Sequence, residues 1–528
     1  MKRRELLVGA AAGLSGLAAP ALARQGDTKV LRFVPQADLA LLDPIQTAAI
    51  VTRNHAAMVF DTLYGVDVQK VAHPQMVEGH TVEDGGRTWI LTLRERLLFH
   101  DGTPVLARDA VASLRRWARK DAYGDALFQN TEELVALDDR RLRFRLRQPM
   151  SNLPYILGKE GPYLSAIMPE RLAVTDPSRP VPEVVGSGPF RYLAGERVPG
   201  SRNVYAKWER YVPRPDGPTG PLSGPKVVHV DRVEWHTIPD ASTAAAALRA
   251  GEVDWWERPT VDLLPSMRRI SNVQIALTQK EGAMGVLKLN HLTAPFDNPA
   301  VRRALWPALQ QQDFLAAARG DDASDWQAGV GYFLPGSAMA SEAGMEALTS
   351  PRDVAAARRA LRDSGYSGQP VALLIATDFP ELNAFGMVAG ALMESIGLKV
   401  DHQMVDWGTV LQRIIQPKPV SEGGWSAFCT SLPGAYTLDP GVNWYLRGNG
   451  TAGSVGWPTS ETLETLRSKW LVADGDADRH ALCRDIQTEC FASVPYVPLG
   501  RFYQPTAFHN RLTGIVESFP VFHNVKKG

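Results

Sequence analysis

The sequence carries no surplus charge: 57 Lys and Arg balance 57 Asp and Glu over 528 residues. It also has no run of basic residues and no basic stretch interleaved with aromatics, so nothing draws the chain onto nucleic acid. Cysteine is scarce, with Cys429, Cys483 and Cys490 all late in the chain and no Cys-x-x-Cys among them. Gly-x-Ser-x-Gly and His-Glu-x-x-His are absent as well, which removes the nucleophile elbow of hydrolases and the helix-borne zinc site of metalloproteases. Internal repeats and low-complexity tracts are missing, and 45 Gly and 38 Pro are too few for a disordered chain. What remains is a globular composition, 45% hydrophobic and 22% charged, long enough for two or three packed units.

The first 23 residues depart from that pattern. Lys2, Arg3 and Arg4 precede an apolar and small-residue run from Leu6 to Ala19, followed by Pro20-Ala21-Leu22-Ala23. A basic head, an apolar middle too short to span a bilayer and an Ala-x-Ala end describe a secretory signal cleaved after Ala23. Arg3-Arg4 points to the twin-arginine route. No cysteine follows the signal to take a lipid anchor, and cleavage leaves 54 basic and 56 acidic residues. The expected location is the periplasm. Cys483 and Cys490 fall in a helical pattern over 478–491, where about 1.5 Å of rise per residue puts them roughly 10 Å apart, too far for a disulfide. A pairing of Cys429 with either is left open.

The pattern after the signal predicts α/β structure. Strands are expected at 29–35, 88–94, 141–147, 227–236, 253–255, 371–377 and 399–404. Helices are expected through Ala57, Phe60 and Leu63, and at 107–120, 240–250, 352–363, 381–396 and 407–415. Asn298 caps a further helix with Pro299 at its first position, kinked at Pro307. Strands alternating with helices late in the chain imply parallel pairing. The basic face of Arg141, Arg143 and Arg145 reads as solvated. Residues 212–226, rich in Pro and Gly, read as an irregular surface excursion. Ser223-Gly-Pro-Lys226 fits the Ser-x-x-Lys pattern of secreted acyl-transfer enzymes, but Gly224 and Pro225 oppose the helical turn that pattern needs. Gly448 to Gly453 fits Gly-x-Gly-x-x-Gly without a following helix. His229 and His236, seven apart on an expected strand, face opposite ways, and no local metal site is read.

Several blocks carry a resemblance. Pro74 to Glu78, Gly86 to Arg94 with Trp89, Phe99-His100-Asp101-Gly102, Gly186-Ser-Gly-Pro-Phe190, Ala250-Gly-Glu-Val-Asp254, Leu289-Asn290 with Pro295-Phe296-Asp297 and Val301 to Leu305, and Val494 to Leu499 resemble, in order, the extracytoplasmic solute-binding proteins of peptide/nickel-type ABC importers (family 5). The resemblance implies a two-lobed α/β periplasmic-binding-protein clamp, type II-like, with two hinge strands near 279–289 and 494–499. Lobe I would comprise 24–58, 186–278 and 494–528, with an extra subdomain at 59–185, and lobe II would comprise 279–493. It also implies a monomer without cofactor, metal or catalysis. Such a protein captures a small molecule or short peptide between its lobes and delivers it to permease subunits in the inner membrane.

The same resemblance implies where the solute sits. The family carries a lobe II loop in which a Trp is followed by an Asp that pairs with a peptide's ammonium. Trp425 matches the Trp, Phe428 stands where the acid is expected, and Asp439 is the first acid in the loop. Either Asp439 reaches in, or the solute lacks that ammonium; the second reading is preferred because a buried ammonium without a carboxylate is costly. Tyr436 and Trp444 lie in or just after the loop, Trp407 matches a cleft-lining position, Arg413 is a candidate for a solute carboxylate, and Thr47 completes the expected set. A non-peptide solute, such as an opine-like conjugate, an aromatic acid or a chelated metal, is the alternative. An exported hydrolase is the remote one.

Overall fold

The computed structural model describes residues 29–473 and 475–528. The basic start, apolar run and cleavage motif of residues 1–23 lie outside them. Two sheets organise the chain. The first has seven strands, in the order Val273–Ala276, Thr506–His509, Trp255–Trp256, Val30–Val34, Arg232–His236, Arg202–Lys207 and Phe190–Tyr192. Val30–Val34 is parallel to both of its neighbours; Leu31, Phe33 and Val34 are buried, as a strand covered on both faces requires. The second has six strands, in the order Trp326–Gln327, Val497–Phe502, Ala283–Leu289, Ala427–Pro433, Pro370–Ala376 and Lys399–Val405. A separate antiparallel sheet of four strands occupies Val77–Glu83, Thr88–Leu93, Arg141–Leu146 and Thr131–Ala136.

The chain passes between the two large sheets twice. It leaves the first after Ala276 and enters the second at Ala283, then leaves at Phe502 and returns at Thr506. The return therefore falls at 503–505, later than the expected 494, and Val497–Phe502 is a full member of the six-stranded sheet. The C-terminal segment is fastened to the first sheet by Asp254, fully buried, which accepts from Arg511 Nε at 2.8 Å and Lys527 Nζ at 2.8 Å.

Most expected elements are present with trimmed ends. The helix expected through Leu63 stops at Val59, because the block Gly186-Ser187-Gly188 packs against its last turn. The Gly188 N–H donates to Val59 O at 2.8 Å, and a Cβ at Gly186 would lie 1.9 Å from that oxygen. His100 joins the same knot, its ring bonded to Gly188 O at 2.9 Å and Gly186 N at 3.3 Å. Burial holds its pKa down at about 4, so it is a neutral strut. In the second sheet parallel pairing is confined, among the described residues, to Pro370–Ala376 with Lys399–Val405 and Ala427–Pro433; Ala283–Leu289 is antiparallel to both neighbours. The Arg face is solvated as expected, with Arg141, Arg143 and Arg145 paired to Asp138, Glu133 and Glu132. His229 precedes the strand Arg232–His236 instead of lying on it. All three cysteines are buried and unbridged.

The Pro/Gly-rich segment corrects an expectation. It is irregular, but its second half is interior: Ser223 and Lys226 are buried, and a Cβ at Gly220 would lie 2.4 Å from Asp67 Cα. Glycine serves close approach here, not exposure. Among the described residues no helix is long and apolar enough to cross a membrane, and no group of three or more His, Cys, Asp or Glu is placed to hold a metal.

Candidate functional site

In the first sheet the parallel strands Val30–Val34 and Trp255–Trp256 end on the side where the chain crosses over. In the second sheet Ala427–Pro433 ends beside Ala283, where the crossing arrives. Ligands of open α/β sheets gather beyond such carboxyl ends, so the junction between the two sheets is the candidate site.

Helix Ile50–Val59 brings one residue to it that its surroundings do not explain. Residues Val51 to Val59 are buried all round, yet among them stands Arg53, 2% exposed. Its guanidinium donates to Asn54 Oδ1 at 3.2 and 2.9 Å and to the Tyr436 hydroxyl at 3.4 Å, and lies 3.9 Å from the Phe519 ring centroid. Asn54 in turn donates to Glu257 Oε1 at 3.1 Å, which sets Arg258, the next residue, beside the same place. Arg53 also lines a narrow cleft, walled by Lys70, Glu160, Glu281, Pro433, Gly434 and Phe519 among others. Lys70 is saturated there by Glu160 at 2.7 Å and Glu281 at 2.8 Å. Burial would lower the Lys70 pKa, but the two carboxylates raise it above its ordinary value.

The loop after Pro433 supplies the opposite wall. Asp439, nearly buried, folds back on its own loop, accepting from Gly441 N at 2.8 Å and Val442 N at 3.0 Å. It also accepts from the Tyr123 hydroxyl at 2.9 Å and the Tyr155 hydroxyl at 2.9 Å. Burial, reinforced by the Asp439 charge, pushes both phenols well above their ordinary pKa. Tyr123 can approach because residue 441 is glycine: a Cβ there would lie 2.1 Å from its ring. Asp439 thus ties the segment 122–158 to the loop of the six-stranded sheet. Asp439→Ala is expected to cost about 2–3 kcal/mol, since two buried hydroxyls lose their acceptor. Denaturant unfolding checks this, and a double-mutant cycle with Tyr155→Phe is expected to show strong coupling.

The structure brings together only part of the expected set. Tyr436 and Asp439 lie at the junction. Trp444 follows them, half-buried and stacked on Tyr445 at 4.6 Å. Trp425 and Phe428 do not: Trp425 precedes the strand Ala427–Pro433, whose length of about 20 Å separates it from the junction. Both rings are fully buried against each other at 5.1 Å, packed with Leu374, Val410, Ile414 and Trp457. The loop facing the first sheet begins at Gly434, not Gly423, so the Trp-to-acid spacing was matched one strand too early. Arg413 is also corrected: its guanidinium donates to Gly423 O at 3.1 Å and Gly424 O at 2.7 Å, pinning that turn. Trp407 packs on Phe379 at 6.0 Å beside the Trp425 cluster. Thr47 accepts from Ala49 N at 3.2 Å just ahead of helix Ile50–Val59. Sequence reasoning missed Arg53, Tyr123, Tyr155 and Arg258. Arg53 carried no local signal, because it sits in the polar run Thr52-Arg53-Asn54-His55, which reads as an exposed helix face until the fold buries it.

The description "Bacterial extracellular solute-binding proteins, family 5 Middle" matches residues 71–454. A probable peptide ABC transporter periplasmic-binding protein, y4tO of Sinorhizobium fredii strain NGR234, is 34% identical over 543 residues, covering 100% of this chain and 99% of that protein. Among solved structures, the binding protein AgaA of A. tumefaciens R10 in complex with agropinic acid superposes with a TM-score of 0.79 at 19% identity, over 94% of this chain and 99% of that one. DppA of Helicobacter pylori in complex with the peptide STSA gives 0.78 at 20% identity, over 94% and 98%. At such identity the two structures establish the fold, a two-lobed periplasmic-binding-protein architecture.

Proposed function

The chain belongs to the bacterial extracellular solute-binding proteins of family 5, and from that membership we propose that it captures a peptide-sized organic solute between its lobes and delivers it to the permease of an ABC importer. The observation that carries the reading is the double crossing at 277–282 and 503–505, which gives two sheets a common hinge and lets them close on what lies between. Lobe I is then built from 24–58, 186–278 and the C-terminal segment, with 59–185 as its subdomain, and lobe II from 279 onward. The protein acts as a monomer in the periplasm, exported by the twin-arginine signal of residues 1–23, and holds its solute without altering it. Ser223 and Lys226 take no part in chemistry: the Ser223 hydroxyl donates to Pro218 O at 3.0 Å, and Lys226 is paired with Asp61.

A solute without a free ammonium is favoured over an ordinary peptide, because every oxygen of Asp439 already accepts from the protein. A bound solute stabilises the folded state by about 2.7 kcal/mol at a hundredfold excess over Kd. Thermal unfolding and small-angle scattering of refolded, ligand-free protein against free di- and tripeptides, their N-acetylated forms and sugars test this. Stabilisation and compaction are expected with N-acetylated forms. A larger response to free peptides would return Asp439 to the role of ammonium partner, and no response to any of them would refute the reading.

A further inference from the structure

Two guanidinium groups at the junction, those of Arg53 and Arg258, have no carboxylate within 4.0 Å among the described residues. Arg53 is almost wholly buried, and its donors find only neutral partners, Asn54 Oδ1 and the Tyr436 hydroxyl. Arg258 is half-buried just beyond the strand Trp255–Trp256, and its Nε has no partner among the described residues. The acids around them are engaged elsewhere: Glu160 and Glu281 share Lys70, Glu257 accepts from Asn54 Nδ2 and from Gln36 N at 2.8 Å, and Glu381 accepts from Gln504 Nε2 at 3.2 Å and faces Arg319 at 3.7 Å. Burial, with the Arg53 charge acting in the same direction against the fields of Glu257 and Glu381, lowers the Arg258 pKa. A charge taken out of water without a counter-ion destabilises the fold, and an aliphatic side chain would fill the place of Arg53 at less cost.

We propose that Arg53 and Arg258 are the receptor for a carboxylate of the solute, the buried fork of Arg53 gripping its two oxygens and Arg258 closing on it from the end of the first sheet. This rests on the solute-binding reading above and names the chemical class it left open. A guanidinium suits the task because its planar donors match two carboxylate oxygens at once. The narrow cleft beside Arg53 runs between the helix Ile50–Val59, the loop at Gly434 and the crossing at Gly282, so an anion that enters as the lobes part touches both. Lys70 is no competitor, being held by Glu160 and Glu281.

The test titrates refolded, ligand-free protein with N-acetyl-dialanine, its C-terminal amide, succinyl-alanine and inorganic phosphate, by calorimetry and thermal unfolding. At least one of the two acids is expected to bind, with the amide at least about thirtyfold weaker, the loss that follows when one partner of a buried charge pair is removed. Arg53→Gln and Arg258→Gln are expected to weaken the acid by a similar factor and leave the amide unchanged. Arg53→Lys restores part of the affinity. Ligand-free Arg53→Met is expected to unfold no earlier than the wild type, which separates a binding role from a structural one. Equal binding of acid and amide overturns the carboxylate receptor while leaving solute binding intact. Binding of phosphate alone overturns the carboxylate assignment, and absence of binding by every probe overturns the proposal together with the reading beneath it.

Discussion

Lys226→Met is expected to destabilise the folded chain by about 3–5 kcal/mol at neutral pH, the range found when one member of a buried ion pair is removed and the other is left charged. The pair is closed to water: Lys226 Nζ lies 2.8 Å from Asp61 Oδ1, with side chains 0% and 1% exposed. Asp61 also accepts from the Tyr211 hydroxyl at 2.8 Å and Gln75 Nε2 at 3.3 Å. Burial by itself would raise the Asp61 pKa, but the Lys226 charge and hydrogen bond, the Tyr211 hydroxyl and the Arg94 charge hold it below the ordinary carboxylate value. Its contribution is therefore complete above that ordinary value and fades as acid protonates it. Without Lys226 the burial effect takes over, the folded pKa rises above the unfolded one, and protonation relieves the variant. The gap between wild type and Lys226→Met should thus be widest near pH 7 and narrow as pH falls through the carboxylate range. Urea unfolding across pH measures it, and solute binding by the folded variant should be unchanged, because Lys226 does not line the junction. Asp61→Asn with Lys226→Met should lose less than the two single changes added together.

That pair also shows where the sequence is silent. Proline and glycine density announced an irregular path for residues 212–226, and the path is irregular. Density alone cannot say whether glycines serve a turn at the surface or a close approach inside, and Gly220 and Gly224 lie against Asp67 and Pro218. Amphipathic period and capping residues placed Ala241–Ala250, Val354–Asp363 and the Asn298 cap because those signals are local. Trp425 was misplaced for the opposite reason. A residue-type pattern carries no strand register, and a whole strand separates Trp425 from the loop that meets the first sheet. Asp439 was found by being the first acid after that strand, but its partners Tyr123 and Tyr155 lie 316 and 284 residues away. No spacing rule reaches that far. Arg53 was hidden in the polar run Thr52 to His55, and its meaning depends on Glu257 and Tyr436, which only the fold assembles.

A second lysine leads to the opposite expectation. Lys288 is fully buried on the strand Ala283–Leu289, donating to Pro495 O at 3.0 Å beneath the rings of Tyr445 at 4.5 Å and Tyr496 at 5.9 Å. No carboxylate lies within 4.0 Å of it among the described residues, and burial lowers its pKa from 10.5 to about 7. The folded state thus releases this proton near neutrality while the unfolded chain keeps it up to 10.5. Between those values the unfolded state binds more protons, so stability rises with pH, by about 1.4 kcal/mol per unit from this one group. Lys288→Met has no proton to lose. The difference in stability between variant and wild type is therefore expected to run in the variant's favour below pH 7 and to shift by about 4–5 kcal/mol toward the wild type by pH 10.5. His291, held well below its ordinary pKa chiefly by burial and in part by the Arg302 and Lys288 charges, is neutral in both folded proteins above pH 7, so the difference over that window isolates Lys288. Parallel stability curves for the two proteins over that window would show that Lys288 stays charged and that its aromatic cage compensates for burial. The expected divergence would mean that the strand running from the first crossing into the six-stranded sheet carries an amine that gives up its charge near neutrality, because burial outweighs the contacts its aromatic neighbours offer.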